Sequence, residues 1–137
     1  MRIKLNVVTA TVKDKRVILI DDSIVRGTTS ARIVRLLREA GAREVHMRVS
    51  APPFLNPCYY GTDIDSRENL IACKYSVPEI AKVIGADSLG YLSVDNTRLG
   101  FCTACFNGKY PTEIPAYTQK AKFMMKKSEK NAGGEKA

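Results

Sequence analysis

Apolar residues recur with two different periods along the 137-residue chain. "RVILI", ending at Ile20, is a short β-branched run bounded by charge, which predicts a strand buried on both faces of a parallel sheet. From Thr28 to Ala40 the spacing becomes helical. Ile33, Val34, Leu37 and Ala40 form one stripe, Arg32, Arg35, Arg38 and Glu39 face away, and Gly41 supplies the stop. "EVHMRVS" returns to alternation, turning Val45, Met47 and Val49 inward, and completes a βαβ unit that "APPFLNP" ends. "SRENLIACKY" reads as a helix carrying Cys73. Ser76 and Glu79 have capping-box spacing with Pro78 in the first turn, so a short helix should run to Gly85, before a last strand near "LGYLSV". The class is α/β, a mainly parallel sheet flanked by helices.

Composition changes this picture little. An apolar content of 45% in 137 residues suits one domain with a modest core. There is no apolar run long enough to span a bilayer and no charged-then-apolar leader, so the expectation is a soluble, cytoplasmic chain. Its four cysteines are then reduced or bound to metal. The formal charge of +8 would suit a polyanionic partner, but its distribution points elsewhere. From Gln119 onward, "QKAKFMMKKSEKNAGGEKA" sets six lysines against two glutamates, placing +4 in a tail whose composition favours a frayed, solvated terminus. No nucleic-acid partner is expected. The single histidine, His46, lies on a strand and reads as structural.

Chemistry concentrates where the first strand ends. In a parallel sheet the ligand crevice lies beyond the carboxyl ends of the strands, and Asp21 and Asp22 stand at such an end. Ser23 to Thr29 then offer backbone N–H groups, the hydroxyls of Ser23, Thr28 and Thr29, and Gly27 for close approach, leading into a helix N-terminus. That is a cradle for phosphate. Two carboxylates cannot themselves welcome a phosphate, so they must face sugar hydroxyls, a hard cation, or both. The ligand these residues imply is a phosphorylated sugar with magnesium. The plainer alternative is that one aspartate caps the following turn. No Walker or Rossmann glycine pattern is present. A second constellation is "CTAC", whose Cys102 and Cys105 have the spacing to reach one metal, with Cys58 and Cys73 upstream. A redox pair, buried thiols and a zinc site are the other readings of these residues.

"VILIDDSIVRGTTS" resembles the phosphoribosylpyrophosphate-binding signature of type I phosphoribosyltransferases. Its "SIVRGTT" version is similar to that of glutamine phosphoribosylpyrophosphate amidotransferases. "RIKLN", "LREAGAREVHMRVSAPP", "PCYYGTDI", "IGADSLGYLSV" and "FCTACFNGKYPTE" resemble the same family in the same order. The resemblance implies a partial type I phosphoribosyltransferase fold. Residues 1–94 would form the C-terminal part of that domain, 95–118 a cysteine-containing extension, and 119–137 a basic flexible tail. The chain would be a fragment without the glutaminase domain, the first strands and the pyrophosphate loop.

The reaction the resemblance implies is displacement of pyrophosphate from phosphoribosylpyrophosphate by glutamine-derived ammonia, giving 5-phosphoribosylamine, the first committed step of purine biosynthesis. It assigns Asp21 and Asp22 to the ribose hydroxyls and to magnesium, and Ser23, Ile24, Val25, Arg26, Gly27, Thr28 and Thr29 to the 5′-phosphate. Arg2 and Lys4 match a family segment near the site. Cys58, Cys102 and Cys105 match three ligands of a four-iron, four-sulfur cluster whose fourth ligand is absent from this chain, while Cys73 matches none. Only Asp95 to Gly100 stand where the family has a longer helical insert. Family members form dimers and tetramers, so a homo-oligomer is expected. Two rival functions remain: a regulator that senses phosphoribosylpyrophosphate and binds RNA, and a noncatalytic interaction fragment.

Overall fold

The computed structural model describes residues 6–62, 64, 66–96 and 100–114. After a single helical turn, α1 (Thr9–Val12), the chain forms β1 (Arg16–Asp21), α2 (Thr28–Glu39) and β2 (Glu44–Val49). Two 3-10 turns follow at Arg67–Asn69 and Ile71–Cys73, then α3 (Val77–Ile84), β3 (Ser88–Tyr91), a 3-10 turn at Val94–Asn96 and the short α4 (Ala104–Asn107). The three strands pair in parallel in the order β1-β2-β3, with Ile18 opposite His46 and Met47 opposite Leu89. Parallel neighbours need a crossover, and α2 and α3 supply one each.

One face of the sheet carries the core. Val45, Met47 and Val49 are buried on β2, meeting Val34 and Leu37 from α2 and Ile80 and Ile84 from α3. The expected alternation on β2 therefore holds. β1 departs from expectation: Ile18 and Ile20 are 67% and 74% exposed, so this strand is buried on one face only. The β-branched run is that of a doubly covered strand, yet both helices lie on the side of Val45 and Met47. β1 also runs one residue further than expected, to Asp21, because Ser50 N–H bonds the Asp21 carbonyl at 3.0 Å and prolongs the pairing.

Local chemistry explains the other boundaries. The α3 start is built as its capping-box spacing predicts: the backbone N–H and hydroxyl of Ser76 both donate to Glu79 Oε2, at 2.8 and 2.7 Å. Gly85, with φ of 78°, closes the helix by donating its N–H back into the last turn. The helix expected over "SRENLIACKY" is two 3-10 turns instead, broken at Leu70, whose extended backbone (ψ 118°) sends its side chain fully into a second cluster with Phe54 and Ile64. Burial of Leu70 outweighs helical continuity. Arg38, expected to face away, is half-buried: it donates to Asp87 Oδ2 at 2.5 Å and to the Arg43 carbonyl at 2.8 Å. Asp87 also accepts the Val45 N–H at 2.6 Å, so one carboxylate ties α2, β2 and the approach to β3 together. That N–H, with Arg38 beside it, holds the Asp87 carboxyl below its ordinary range. The last strand is shorter than "LGYLSV" suggests, ending at Tyr91 where β2 ends opposite it.

His46 sits between Ser88 Oγ (2.9 Å from Nδ1) and Glu44 Oε2 (2.9 Å from Nε2), which makes it part of a polar network on the sheet. Among the described residues no helix is long and apolar enough to cross a membrane. Arg2, Lys4 and the basic tail lie outside the described residues.

Candidate functional site

The site is built by the turn from β1 into α2. Strand pairing carries the chain to Asp21, and the buried side chain of Ile24 (2% exposed) anchors the loop in the core beside Met47 and Ile80. Ile24 therefore offers a ligand only its backbone. The Val25 carbonyl accepts the Ile71 N–H at 2.9 Å, which fixes the far side of the loop. Gly27 follows with φ of 79°, in the left-handed region where a side chain is strained. A Cβ there would stand 2.6 Å from Ile71 Cδ1. The loop thus demands glycine twice, for its backbone angle and for its contact with Ile71.

Gly27 caps α2, and the first N–H to find a helical acceptor is that of Ala31, bonded to the Gly27 carbonyl at 2.9 Å. The N–H groups of Thr28, Thr29 and Ser30 belong to the first turn, whose donors have no intrahelical partner. Together with the helix dipole they attract an anion. Thr28 and Thr29 are exposed at this end, and Ser30 is buried. Asp21 Oδ1 accepts the Asp22 N–H at 3.0 Å, and Asp22 Oδ1 accepts the Ser23 hydroxyl at 2.9 Å. These bonds orient both carboxylates at the carboxyl end of β1. Each keeps its second oxygen without a protein partner among the described residues, which suits hydroxyl donors or a hard cation held by two carboxylates. The residues present therefore fit magnesium brought in with a phosphorylated ligand. Beside this end, the Tyr91 hydroxyl is buried with no protein partner among the described residues, and burial pushes it up to about 12. Nothing in the sequence pattern singled it out.

The cysteines form a separate cluster. The Cys58 to Thr62 loop folds back so that Thr62 N–H donates to Cys58 Sγ at 3.4 Å. Partial burial pushes the Cys58 thiol up, but N–H groups of Tyr60, Thr62 and Gly61 and the Cys105 thiol all favour its thiolate, and the result is about 7. Cys105, more deeply buried and facing that thiolate, is pushed up to about 11. The Cys105 carbonyl in turn accepts the N–H groups of Leu55 and Asn56, both at 2.9 Å, while the rings of Phe54 and Phe106 pack at a 44° tilt with centroids 5.0 Å apart. Cys58 and Cys105 thus meet across about fifty residues of sequence.

Cys102 stays exposed, near enough for its charge to help push the Cys105 thiol up, and among the described residues no three His, Cys, Asp or Glu side chains gather as metal ligands. Of the three thiols expected as ligands, Cys58 and Cys105 share a hydrogen bond, and Cys102 stands outside it. The reason is local, since Cys102 precedes α4 whereas Cys105 lies within it and turns toward Phe54. Cys73 is also exposed and donates to the Leu55 carbonyl at 3.3 Å.

This asymmetry has a direct test in solution. Alkylation with iodoacetamide, mapped by mass spectrometry, is expected to modify Cys58 with a midpoint near pH 7, while Cys105 remains unmodified through neutral pH. Equal pH profiles at the two positions would contradict the Cys105–Cys58 hydrogen bond that lowers one thiol and raises the other.

No family model matches the chain. It is 52% identical over 132 residues to the amidophosphoribosyltransferase of Synechocystis, covering 91% of this chain and 27% of that protein. With the enzyme of the same name from Bacillus subtilis it shares 54% identity over 125 residues, covering 83% and 26%. A solved structure, glutamine phosphoribosylpyrophosphate amidotransferase from B. subtilis complexed with ADP and GMP, superposes with a TM-score of 0.77 at 52% identity, over 86% of this chain and 28% of that one. The chain spans about a quarter of the length of the relatives it matches.

Proposed function

We propose, from the premise that this chain corresponds to the C-terminal part of the phosphoribosyltransferase domain of amidophosphoribosyltransferases, that it supplies the ribose-5-phosphate half of a phosphoribosylpyrophosphate site. The observation that carries the reading is the continuous path from Asp21 and Asp22, at the carboxyl end of β1, through the Gly27 turn to the N-terminus of α2. Two carboxylates and a helix N-terminus lie one short loop apart. The loop is held by Ile24 and the Val25–Ile71 bond, so it is formed before ligand arrives and little ordering is needed on binding.

In this reading the N–H groups at Gly27, Thr28 and Thr29, with the hydroxyls of Thr28 and Thr29 and that of Ser23 once it turns from Asp22 Oδ1, hold the 5′-phosphate. Asp21 and Asp22 accept the ribose hydroxyls and thereby orient C1. As that carbon gains positive character, the same carboxylates lie where their charge favours it. Magnesium, held by Asp21 and Asp22 together with the ligand, would supply neutralisation of the pyrophosphate charge. The complete enzyme would exchange pyrophosphate for glutamine-derived ammonia to give 5-phosphoribosylamine in purine biosynthesis, acting in the cytoplasm as a homo-oligomer. The domain division at residues 94 and 118 belongs to the same reading. So does an iron–sulfur cluster on Cys58, Cys102 and Cys105; the Cys58–Cys105 pair supports it and the exposed Cys102 does not.

The test is a calorimetric titration of the chain with phosphoribosylpyrophosphate, with and without magnesium, beside an Asp21→Asn/Asp22→Asn variant. Saturable, magnesium-dependent binding that weakens at least ~10-fold in the variant is expected, the loss of two charge-assisted contacts being worth that or more. Equal binding by the variant would remove these residues from the site, and no binding by the folded chain would mean that the half-site does not hold the ligand without the rest of the domain.

A further inference from the structure

Cys58, in the loop after β2, and Cys105, in α4, are joined by a hydrogen bond between their sulfurs. The N–H groups of Tyr60, Gly61 and Thr62 converge on Cys58 Sγ, that of Thr62 from 3.4 Å. Such donors favour the sulfur as a thiolate, the form that attacks a disulfide. Both cysteines are free and partly exposed, so a small molecule can reach them. Beneath them lie Phe54, Ile64 and Leu70, and Val25, from the loop between β1 and α2, packs on the same three residues. The Val25 carbonyl accepts the N–H of Ile71, the neighbour of Leu70. The thiol pair and the loop of the candidate site therefore lean on one small core.

We propose that Cys58 and Cys105 are a reversible redox pair, oxidised by low-molecular-weight disulfides, and that their oxidation state sets the stiffness of the loop between β1 and α2. The Cys58 thiolate attacks one sulfur of the small disulfide. That S–S bond breaks, and one thiol departs as its thiolate and takes up a proton. Cys105 then gives up its proton and attacks the Cys58 sulfur, breaking the mixed disulfide and releasing the second thiol. The protein loses two electrons and two protons, and the small disulfide gains them. Cys102 stands outside the hydrogen bond and Cys73 bonds the Leu55 carbonyl, so neither is placed to compete. A cluster and a disulfide exclude each other on these sulfurs. With no third His, Cys, Asp or Glu gathered beside them among the described residues, two thiols in contact fit two-electron exchange better than they fit a cluster. The new bond ties the loop after β2 to α4 and so restrains the core on which Val25 packs.

The test takes the full chain, reduced with dithiothreitol and then equilibrated with mixtures of glutathione and glutathione disulfide. Acid quenching, alkylation and peptide mapping follow. A linked Cys58–Cys105 peptide is expected at least ~10-fold above any other cysteine pair, returning to free thiols with dithiothreitol. Cys105→Ser should stop at the first step, with glutathione held on Cys58, while Cys58→Ser should leave Cys105 unmodified. Amide exchange at Ile71, whose N–H bonds the Val25 carbonyl, is expected to slow by ~10-fold on oxidation. None of these readouts needs a ligand, so they stand apart from the titration with phosphoribosylpyrophosphate. A link through Cys102 or Cys73, or glutathione spread over all four cysteines, would overturn the redox pair. Equal exchange at Ile71 in the two oxidation states would overturn its hold on the loop. Uptake of iron and sulfide into a stable cluster by the reduced chain would also overturn the proposal and assign these thiols to the metal. The link in the unsubstituted chain decides the matter even where a variant fails to fold.

Discussion

Replacing Gly27 with valine is expected to cost ~2–5 kcal/mol of stability and to abolish phosphate-ligand binding together. The backbone contributes first: a side chain at φ of 79° costs ~1–2 kcal/mol. The contact contributes next, because a Cβ would lie 2.6 Å from Ile71 Cδ1. A flexible side-chain end would simply swing aside. Ile71 is only 5% exposed and packs with Ile24, Ile80 and Ile84, so making room means overpacking the core, at ~1–3 kcal/mol. For a domain of this size the sum lowers the thermal midpoint by more than ~10 °C. Gly61 is the control, since a Cβ there meets nothing within 4 Å and Gly61→Val should change stability by no more than ~0.5 kcal/mol. The two contributions to the Gly27 effect can be separated. Ile71→Val removes Cδ1, so combined with Gly27→Ala it should cost less than the two changes added, leaving the backbone penalty behind. Strict additivity would show that the contact is not the problem.

The same loop shows why part of this site was legible in the sequence and part was not. Acidic residues after a β-branched run, then glycine, then a helical stripe, are local signals, and they place Asp21, Asp22 and Gly27 without any knowledge of distant residues. The reliance of Gly27 on Ile71 is a tertiary fact, forty-four positions away. So is the pairing of Cys58 with Cys105, where spacing alone had suggested that Cys102 and Cys105 act together. α4 resolves this by turning one cysteine inward and leaving the other before its start. Tyr91 reads as an ordinary strand residue until burial leaves its hydroxyl without a partner. "SRENLIACKY" is locally compatible with one helix, and nothing nearby in sequence signals the two 3-10 turns at Arg67–Asn69 and Ile71–Cys73. Leu70 is claimed by Phe54 and Ile64 instead.

The sharpest divergence between pattern and structure is on the sheet, and it sets up the second large effect. Ile18, Ile20 and Met47 are apolar residues on adjacent paired strands, and alternation alone ranks the isoleucines no lower than the methionine. Their burial is opposite: Met47 is fully buried between α2, α3 and β3, whereas Ile18 stands largely in solvent. Met47→Ala is therefore expected to cost ~2–5 kcal/mol, the transfer of its side chain plus the cavity left behind. Against a total stability of order ~5–15 kcal/mol for a domain, and with only one covered sheet face here, that leaves a measurable unfolded fraction without denaturant. Ile18→Thr should stay within ~0.5 kcal/mol, because a β-branched residue is kept and almost no apolar area leaves the core. Urea unfolding of the chain and the two variants measures both. A shift in midpoint at unchanged slope for Met47→Ala, beside a superimposable curve for Ile18→Thr, is the expected pair of results. Equal losses would mean that Ile18 is covered in the folded chain, against its exposure on the outer face of the sheet.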